Sequence, residues 1–487
     1  MPTYDLESTL DLAKARISEL QLQMTTGQLT SVELVSVYLA RIAALDKTGP
    51  ALNAVLEVNP DAMQTAQALD AERRRQGPRG PLHGIPVLMK GNIDTGDKMH
   101  TTAGSRALAN WYAQTDAFVV KRLREAGAVI LGKTNLTEWA NFMAENMPNG
   151  YSSLGGQVRN PYGPGTHDTG GSSAGTGAAI AASLAAVGVG TETSGSILSP
   201  SSQNSLVGIK PSVGLISRTG IIPISFSQDT AGPMARTVED AAILLGAMTG
   251  VDPADPATGS SLGVALSDYT AFLDATALKG ARIGIPRDPF YTELPEAKQK
   301  IMDSVIAQLT ELGATVVDVD LPKAALGEDI NVLVYEFKSA INAYLGSVGA
   351  NVPVHTLAEL IAYNEAHSAE MLRYGQAVLL KSEETSGSLT ESAYIESRLR
   401  DLRATREEGI DRLLTSHKLN ALLFPNNWGA GVAAKAGYPS ITVPAGYTPD
   451  GEPVGMTLTG TAFSEPTLIR LAYAYEQGTH HRVEPKL

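Results

Sequence analysis

Residues 170–214 read GGSSAGTGAAIAASLAAVGVGTETSGSILSPSSQNSLVGIKPSVG. In the wider stretch 165–205, 8 of 41 residues are glycine and 9 are serine, whereas only Asp168 and Glu192 are charged. The small residues 173–186 predict a buried helix, and AVGVGTET (186–193) predicts a strand. Glycine lets the backbone approach another group closely, whereas flexible linkers usually carry charge or proline. The stretch therefore predicts a functional site built around a buried helix and a strand.

Helical and strand patterns alternate on both sides of this stretch. Thr30 and Glu33 form a capping box that opens a helix to about Leu45. We predict further helices at 116–126 and 295–312, and strands at 82–90, 127–132, 281–286, 314–320, 421–425 and 440–446. This alternation is typical of an α/β fold. We expect a single large domain (1–487) with a central mixed, mostly parallel sheet flanked by helices, and an inserted helical layer at about 325–418.

Composition excludes several classes of chemistry. The 487 residues include no cysteine and only 8 histidines, so disulfides, thiolate metal sites and cysteine nucleophiles are excluded. The net charge of −13 and the lack of a basic run argue against nucleic-acid binding. The longest small apolar stretch, 178–189, is too short to span a bilayer. The first residues lack the pattern of a signal peptide. We expect a cytoplasmic protein, although a secreted form without its signal peptide stays open.

Two motif matches fail on their context. GAVILGKT (127–134) fits the phosphate-loop pattern, but its four intervening residues are apolar and predict a strand. GSSAG (171–175) fits the nucleophile elbow of α/β-hydrolases, which needs a histidine base late in the chain. The late histidines include His480 and His481 in a polar tail, and no apolar strand precedes the motif. We therefore favour neither interpretation.

Serine chemistry without histidine or cysteine needs another proton acceptor. A lysine can accept a proton when it is neutral, and burial favours the neutral form. Lys90 follows Val87-Leu88-Met89 at the end of a predicted buried strand. By position alone, however, a solvated surface lysine remains the commoner case.

The 170–214 segment resembles the signature of the amidase signature family, and GIPVLMK (84–90) resembles the lysine strand of that family. The resemblance extends through GAVILGKTNLTEWANF (127–142) and SRTGIIPISFSQDTAGPMARTVEDA (217–241), and more weakly to ITVPAG (441–446). It covers about 80–450, with its core at about 80–245. Within the family, the chain looks most similar to bacterial peptide amidases and aryl acylamidases.

The resemblance implies a Ser–Ser–Lys triad. Its positions are Ser196 as nucleophile, Ser172 after a cis peptide bond as the bridging serine, and Lys90 as base. In this scheme Ser196 forms an acyl-enzyme that water hydrolyses, without a metal or organic cofactor. The backbone amides expected to form the oxyanion hole are those of Thr193, Ser194, Gly195 and Ser196.

Departures from the family pattern leave the substrate open. Gly91 stands where the family often has Asp or Glu, and Leu198 where it often has Arg. Phe142 and Trp428 are candidate pocket walls, although aromatic residues at such positions are more often part of the core. The preferred substrates are C-terminal peptide amides, with aryl acylamides second. A non-catalytic binding protein of the same fold is the remaining alternative. Oligomeric state stays open.

Overall fold

A computed structural model describes residues 11–327 and 329–487; most of the N-terminal stretch considered above for a signal peptide lies outside them. The strands in the described residues are β1 (Val55–Val58), β2 (Pro86–Lys90), β3 (Val129–Thr134), β4 (Tyr151–Ser152), β5 (Gly156–Gln157), β6 (Val187–Glu192), β7 (Val207–Lys210), β8 (Thr230–Ala235), β9 (Arg282–Pro286), β10 (Thr315–Val319), β11 (Ala421–Pro425), β12 (Ser440–Tyr447) and β13 (Pro453–Thr459). Eleven of them form one sheet in the order β1-β3-β2-β6-β8-β7-β12-β13-β11-β9-β10. A separate two-stranded sheet pairs β4 with β5.

The sheet is mixed, as predicted, but most of its neighbouring pairs are antiparallel. Strand β2 pairs in parallel with β3 and β6, and β9 pairs in parallel with β10 and β11. The other six neighbouring pairs in the described sheet are antiparallel. The expectation of a mostly parallel sheet was therefore wrong. Short connections such as residues 448–452 join β12 to β13, and an antiparallel pair needs no crossover helix.

Helices flank the sheet. They are α1 (Ile17–Thr25), α2 (Ser31–Leu45), α3 (Ala62–Gln76), α4 (Phe118–Glu125), α5 (Ala174–Ala181), α6 (Leu198–Gln203), α7 (Val238–Met248), α8 (Glu296–Glu311), α9 (Asn331–Leu345), α10 (Leu357–Ala366), α11 (Ser368–Met371), α12 (Ala377–Glu383), α13 (Ser392–Leu402), α14 (Asp411–Ser416), α15 (Ala430–Ala436) and α16 (Glu465–Thr479). The predicted capping box of Thr30 and Glu33 opens α2. In the described part of the chain, no helix combines the length and apolar character that crossing a membrane requires.

The buried helix α5 is shorter than the predicted 173–186. It ends at Ala181, and Ser183 takes a left-handed conformation with φ of 57°. Guanidinium groups bind the backbone carbonyls that follow: Arg41 donates to Ala182 O (2.9 Å) and Arg482 to Ala181 O (3.3 Å). Cations at a helix C-terminus are stabilising because its last carbonyls lack intrahelical partners. Helix α5 has no charged residue of its own, and two arginines from distant segments therefore stabilise its C-terminus.

The helices α9–α14, together with a π-helical turn at Arg403–Ile410, lie between β10 and β11 in the chain. Beneath them is a second hydrophobic cluster that includes Trp139, Phe142 and Phe337, separate from the large core around the sheet. The Tyr344 hydroxyl of α9 donates to Asp94 (2.8 Å), close after β2. The inserted helices therefore pack over the carboxyl end of β2, where the candidate site lies.

Candidate active site

Lys90 is the last residue of β2 and is fully buried. Its ammonium nitrogen lies 2.8 Å from Ser172 Oγ, 2.9 Å from Thr191 Oγ1 and 3.1 Å from Thr191 O. Thr191 belongs to β6, which pairs in parallel with β2. The sheet therefore places a lysine against a serine that lies 82 positions away in the sequence.

Burial lowers the pKa of Lys90 to about 7, because desolvation penalises the charged ammonium. The carboxylates of Glu192 and Asp229 oppose this shift, as negative charges favour the protonated lysine. The shift from 10.5 makes neutral Lys90 available near neutral pH. A lysine in this environment can accept a proton.

Ser172 lies two residues before the start of α5, after a cis Gly171–Ser172 peptide bond, as the resemblance implies. A Cβ at Gly171 would lie 2.5 Å from Asn149 Oδ1 and 2.7 Å from Thr137 Oγ1, so the backbone here passes too close for a larger residue. Ser172 O accepts a hydrogen bond from Thr137 N (3.0 Å). These contacts fix the backbone that presents the Ser172 hydroxyl to Lys90.

The elbow interpretation is excluded by the partners of Ser173. Ser173 is the central serine of that motif, and its hydroxyl donates to Thr191 O (3.1 Å) and accepts from Thr191 N (3.3 Å). It fastens the start of α5 to β6. The 127–134 segment likewise forms strand β3, as predicted, and not a phosphate loop.

Residues 193–196, here named the glycine–serine loop, lie between β6 and α6. The Glu192 carboxylate accepts hydrogen bonds from Gly195 N (2.7 Å), Ile197 N (2.7 Å) and Leu198 N (2.9 Å). Gly195 has φ of 85°, a left-handed conformation that favours glycine. One buried carboxylate thus shapes the loop and caps the following helix.

The structure differs from the expected oxyanion hole at one of its four backbone amides, that of Gly195. The Gly195 amide is already used by Glu192, so it is not free to bind a substrate oxygen. Within the described residues, the amides of Thr193, Ser194 and Ser196 have no protein acceptor. Three of the four expected donors therefore remain.

Ser196 is close to the Ser172 region. Ser173 N donates to Ser196 O (3.1 Å), which ties the loop to the start of α5. Ser172 and Ser196 both belong to the described residues, and their hydroxyl groups form no hydrogen bond with each other in this structure. Catalytic hydrogen bonds in unliganded enzymes are often long and tighten only when substrate binds.

Two cavities adjoin the glycine–serine loop. The first, of about 340 Å³, is lined by Asn92, Thr191 and Thr193 on one side and by apolar residues such as Ile222 and Phe226 on the other. The second, of about 500 Å³, is lined by Ser194, Asn427 and Trp428 and by residues before and at the start of α9. The inserted helical layer contributes to both cavities.

The two candidate wall aromatics have different surroundings. Trp428 is 37% exposed and lines the second cavity. Phe142 is buried in the second hydrophobic cluster, with its ring 4.9 Å from that of Phe337, and lines neither of these two cavities. Phe142 is therefore a core aromatic, because the helical layer covers it.

The departures at 91 and 198 have local explanations. A Cβ at Gly91 would lie 2.9 Å from Thr134 O, so the backbone is too close to β3 for a carboxylate side chain. Leu198 is buried at the start of α6. The position where an arginine is often found is therefore apolar in this chain.

Sequence reasoning missed three residues of the site: Glu192, Thr191 and Asp229. Asp229 accepts hydrogen bonds from Thr193 Oγ1 (2.5 Å), Ile224 N (2.7 Å) and Ser225 N (2.8 Å). Burial raises the pKa of Asp229 to about 6. Glu192 did carry a signal, as one of only two charged residues in 165–205. No cluster of three or more His, Asp or Glu that could hold a metal ion occurs among the described residues.

Comparison with known proteins identifies the family to which this chain belongs. The family profile described as Amidase matches residues 33–430. The chain is 48% identical to a peptide amidase solved with the competitive inhibitor chymostatin, with a TM-score of 0.93 over 98% of this chain and 100% of that one. It is 47% identical to native peptide amidase from Stenotrophomonas maltophilia, with a TM-score of 0.92 over 98% and 99% of the two chains.

A protein named "Probable amidase" from Arabidopsis thaliana is 43% identical, over 99% of this chain and 93% of the plant protein. The predicted resemblance to the amidase signature family is confirmed by the family profile and by these relatives. The chain belongs to the amidase family and is an amide-hydrolysing enzyme.

Proposed function

We propose that this enzyme hydrolyses carboxamides through an acyl-enzyme on Ser196, with Ser172 as proton relay and Lys90 as base. The observation that carries the proposal is the buried contact of 2.8 Å between Lys90 Nζ and Ser172 Oγ, at a lysine whose pKa is about 7. Ser196 Oγ forms a bond to the amide carbon while its proton passes through Ser172 Oγ to Lys90 Nζ. The proton then returns to the departing nitrogen as the C–N bond breaks.

The hydrogen-bond count at Lys90 suits this relay. A neutral amine has two N–H donors and one lone pair. Thr191 O and Thr191 Oγ1 accept the two donors, which leaves the lone pair for the Ser172 hydroxyl. After proton transfer the ammonium has three donors for the same three oxygens. Both protonation states therefore have complete sets of partners without movement of the chain.

Developing charge on the carbonyl oxygen needs donors beside Ser196. The amides of Thr193, Ser194 and Ser196 are the proposed donors, and each is typically worth about 3–4 kcal/mol at the transition state. The Glu192 contacts hold the loop that carries them. Water then attacks the acyl carbon while Lys90 accepts its proton through Ser172, and the proton returns by the same path to Ser196 Oγ as the ester bond breaks. The products are a carboxylate and ammonia or an amine.

C-terminal peptide amides are the proposed substrates. The chain matches two peptide amidase structures at 47–48% identity over nearly its whole length. The second cavity, with Trp428 at its wall, supplies room beyond the first for a peptide chain or a larger leaving group. Aryl acylamides are the second candidate. An anilide needs space on both sides of the scissile bond, and the second cavity supplies room for its larger leaving group.

Two measurements test the proposal. Purified enzyme is assayed on N-acetyl-phenylalaninamide and on acetanilide; we expect faster release of ammonia than of aniline, and the reverse would favour the aryl acylamidase assignment. Labelling with a fluorophosphonate, followed by peptide mapping, should modify Ser196. Ser196→Ala should abolish labelling and turnover, whereas Ser199→Ala in the same region should retain both. Modification at a different serine would refute the assigned nucleophile.

A further inference from the structure

Residues 224–229, here named the bridging segment, lie between the inserted helical layer and the glycine–serine loop. Ile224, Ser225, Phe226 and Asp229 line the first cavity beside Thr193. Phe226 is 46% exposed, so its ring is accessible at the cavity. The position of this segment therefore determines part of the space open to substrate.

One end of the bridging segment is held by its own carboxylate. Asp229 accepts hydrogen bonds from the backbone of Ile224 and Ser225 and from the Thr193 hydroxyl. Thr193 is the first residue of the glycine–serine loop, three positions before Ser196. A displacement of the segment would therefore be transmitted to the loop that carries the proposed oxyanion donors.

The other side of the segment is held by Glu336 of helix α9. This carboxylate is buried and accepts hydrogen bonds from Ser225 Oγ (2.5 Å), Ser227 N (3.0 Å) and Ser227 Oγ (3.1 Å). A fourth comes from the Tyr394 hydroxyl of α13 (2.9 Å). All these donors are uncharged, and a buried carboxylate is costly unless it is fully hydrogen-bonded. Glu336 therefore joins two helices of the inserted layer to one short segment of the cavity wall.

A third contact fixes the middle of the segment. The Arg218 guanidinium donates to Phe226 O and pairs with Asp255 through both of its oxygens (2.5 and 2.8 Å). Arg218 and Asp255 also line the first cavity. The segment is thus fastened from three directions.

We propose that Glu336 is a positioning residue of the amidase site: it fixes the bridging segment, and through Asp229 it sets both the shape of the first cavity and the position of Thr193. This inference rests on the proposed function, because it concerns amide hydrolysis at Ser196, and it places the residue next to the scissile amide in the first cavity. Side chains that hold a reacting group in place can change rates by about 10²-fold when geometry shifts by about 1 Å. The inserted helices then determine which acyl groups are accepted, without contacting the reacting atoms.

The test compares two substrates that release the same product. N-acetyl-glycinamide and N-acetyl-phenylalaninamide both yield ammonia but differ in the side chain next to the scissile amide. Glu336→Ala should lower kcat/KM for both amides and change the ratio between them by about tenfold, within the range by which pockets discriminate side chains. Glu336→Gln, which retains one acceptor oxygen, should restore part of the ratio. Because a lower folded fraction reduces both rates equally, the ratio separates positioning from simple loss of stability.

Glu359→Ala is the matched control. Glu359 lies on α10 of the same layer, is exposed and accepts a hydrogen bond from His355 N, away from the bridging segment. It should leave the ratio unchanged. If Glu336→Ala does not fold, Ser227→Ala and Glu336→Gln carry the test, since each removes only part of the contact. An unchanged ratio in these variants, with a wild type that hydrolyses both amides, overturns this inference alone. A wild type that hydrolyses neither amide overturns the proposed function, and this inference with it.

Discussion

Replacing Lys90 by methionine tests the proposed base most directly. Methionine has a similar length and suits a fully buried position. The substitution removes the nitrogen that contacts Ser172 and Thr191 but adds no bulk. The proton of Ser196 would then have no acceptor at the end of the relay.

The expected magnitude follows from the pKa of Lys90. With a pKa of about 7, about half of the lysine is neutral at pH 7, against about 0.03% for a solvated lysine. The shift from 10.5 corresponds to about 5 kcal/mol in favour of the neutral form. Loss of a positioned general base typically costs about 10²–10⁴-fold in rate. We therefore expect Lys90→Met to lower kcat/KM by at least about 10²-fold.

The assay is the pH dependence of kcat/KM for a peptide amide. Because only neutral Lys90 accepts the proton, wild-type kcat/KM should fall about tenfold per pH unit below pH 7, to about 1% of its plateau at pH 5. Lys90→Met should lose this dependence along with its activity. Folding at each pH is checked by circular dichroism.

Lys133 supplies a matched control. It is also fully buried, on the neighbouring strand β3, with a pKa lowered by desolvation to about 8. Its ammonium donates to Ile93 O and Thr101 Oγ1 and not to Ser172. Lys133→Met should therefore affect stability but keep the activity midpoint near pH 7. The reasoning is refuted if Lys90→Met retains that midpoint or loses less than about tenfold in kcat/KM.

Three further substitutions probe the surroundings of Lys90. Glu192→Gln places an amide where three backbone N–H groups converge on the carboxylate. It should lower the free energy of unfolding by about 1–3 kcal/mol and also lower kcat. An unchanged denaturant midpoint would contradict this. Thr191→Val removes an acceptor that favours the ammonium, so the activity midpoint should move below pH 7, and an upward shift would count against the contact. Gly91→Ala forces a Cβ to 2.9 Å from Thr134 O and should destabilise by about 1–3 kcal/mol, measured by thermal unfolding; equal stability would disprove the close approach.

The sequence was informative about the elements that carry the site. The strand at 187–192 was predicted close to its observed bounds, because its apolar and small residues form a continuous buried run. The strand that ends at Lys90 and the helix after Ser173 were also predicted, but both are shorter than expected. The ratio of parallel to antiparallel pairs could not be read this way. It depends on which strands become neighbours, and an apolar strand looks the same with either orientation of its partner.

The polar contacts of the site were harder to predict. Glu192 stood out as a charge in an uncharged stretch, but nothing in the sequence showed that it would use the Gly195 amide. Phe142 was offered as a pocket wall because aromatic residues often line pockets. It lies in the core because α9 places Phe337 against it, 195 positions further along the chain.

By itself, the sequence determined the family of this protein: an amide-hydrolysing enzyme of the amidase family, with Lys90, Ser172 and Ser196 as the candidate residues. Only the tertiary structure decided how those residues meet. Lys90 becomes a candidate base because β2 and β6 pair and exclude water from its amine, which lowers its pKa. The contacts of Glu336 with Ser225 and Ser227 beside the first cavity likewise join residues more than a hundred positions apart. Desolvation and long-range hydrogen bonds exist only in the folded chain, and local sequence patterns do not encode them.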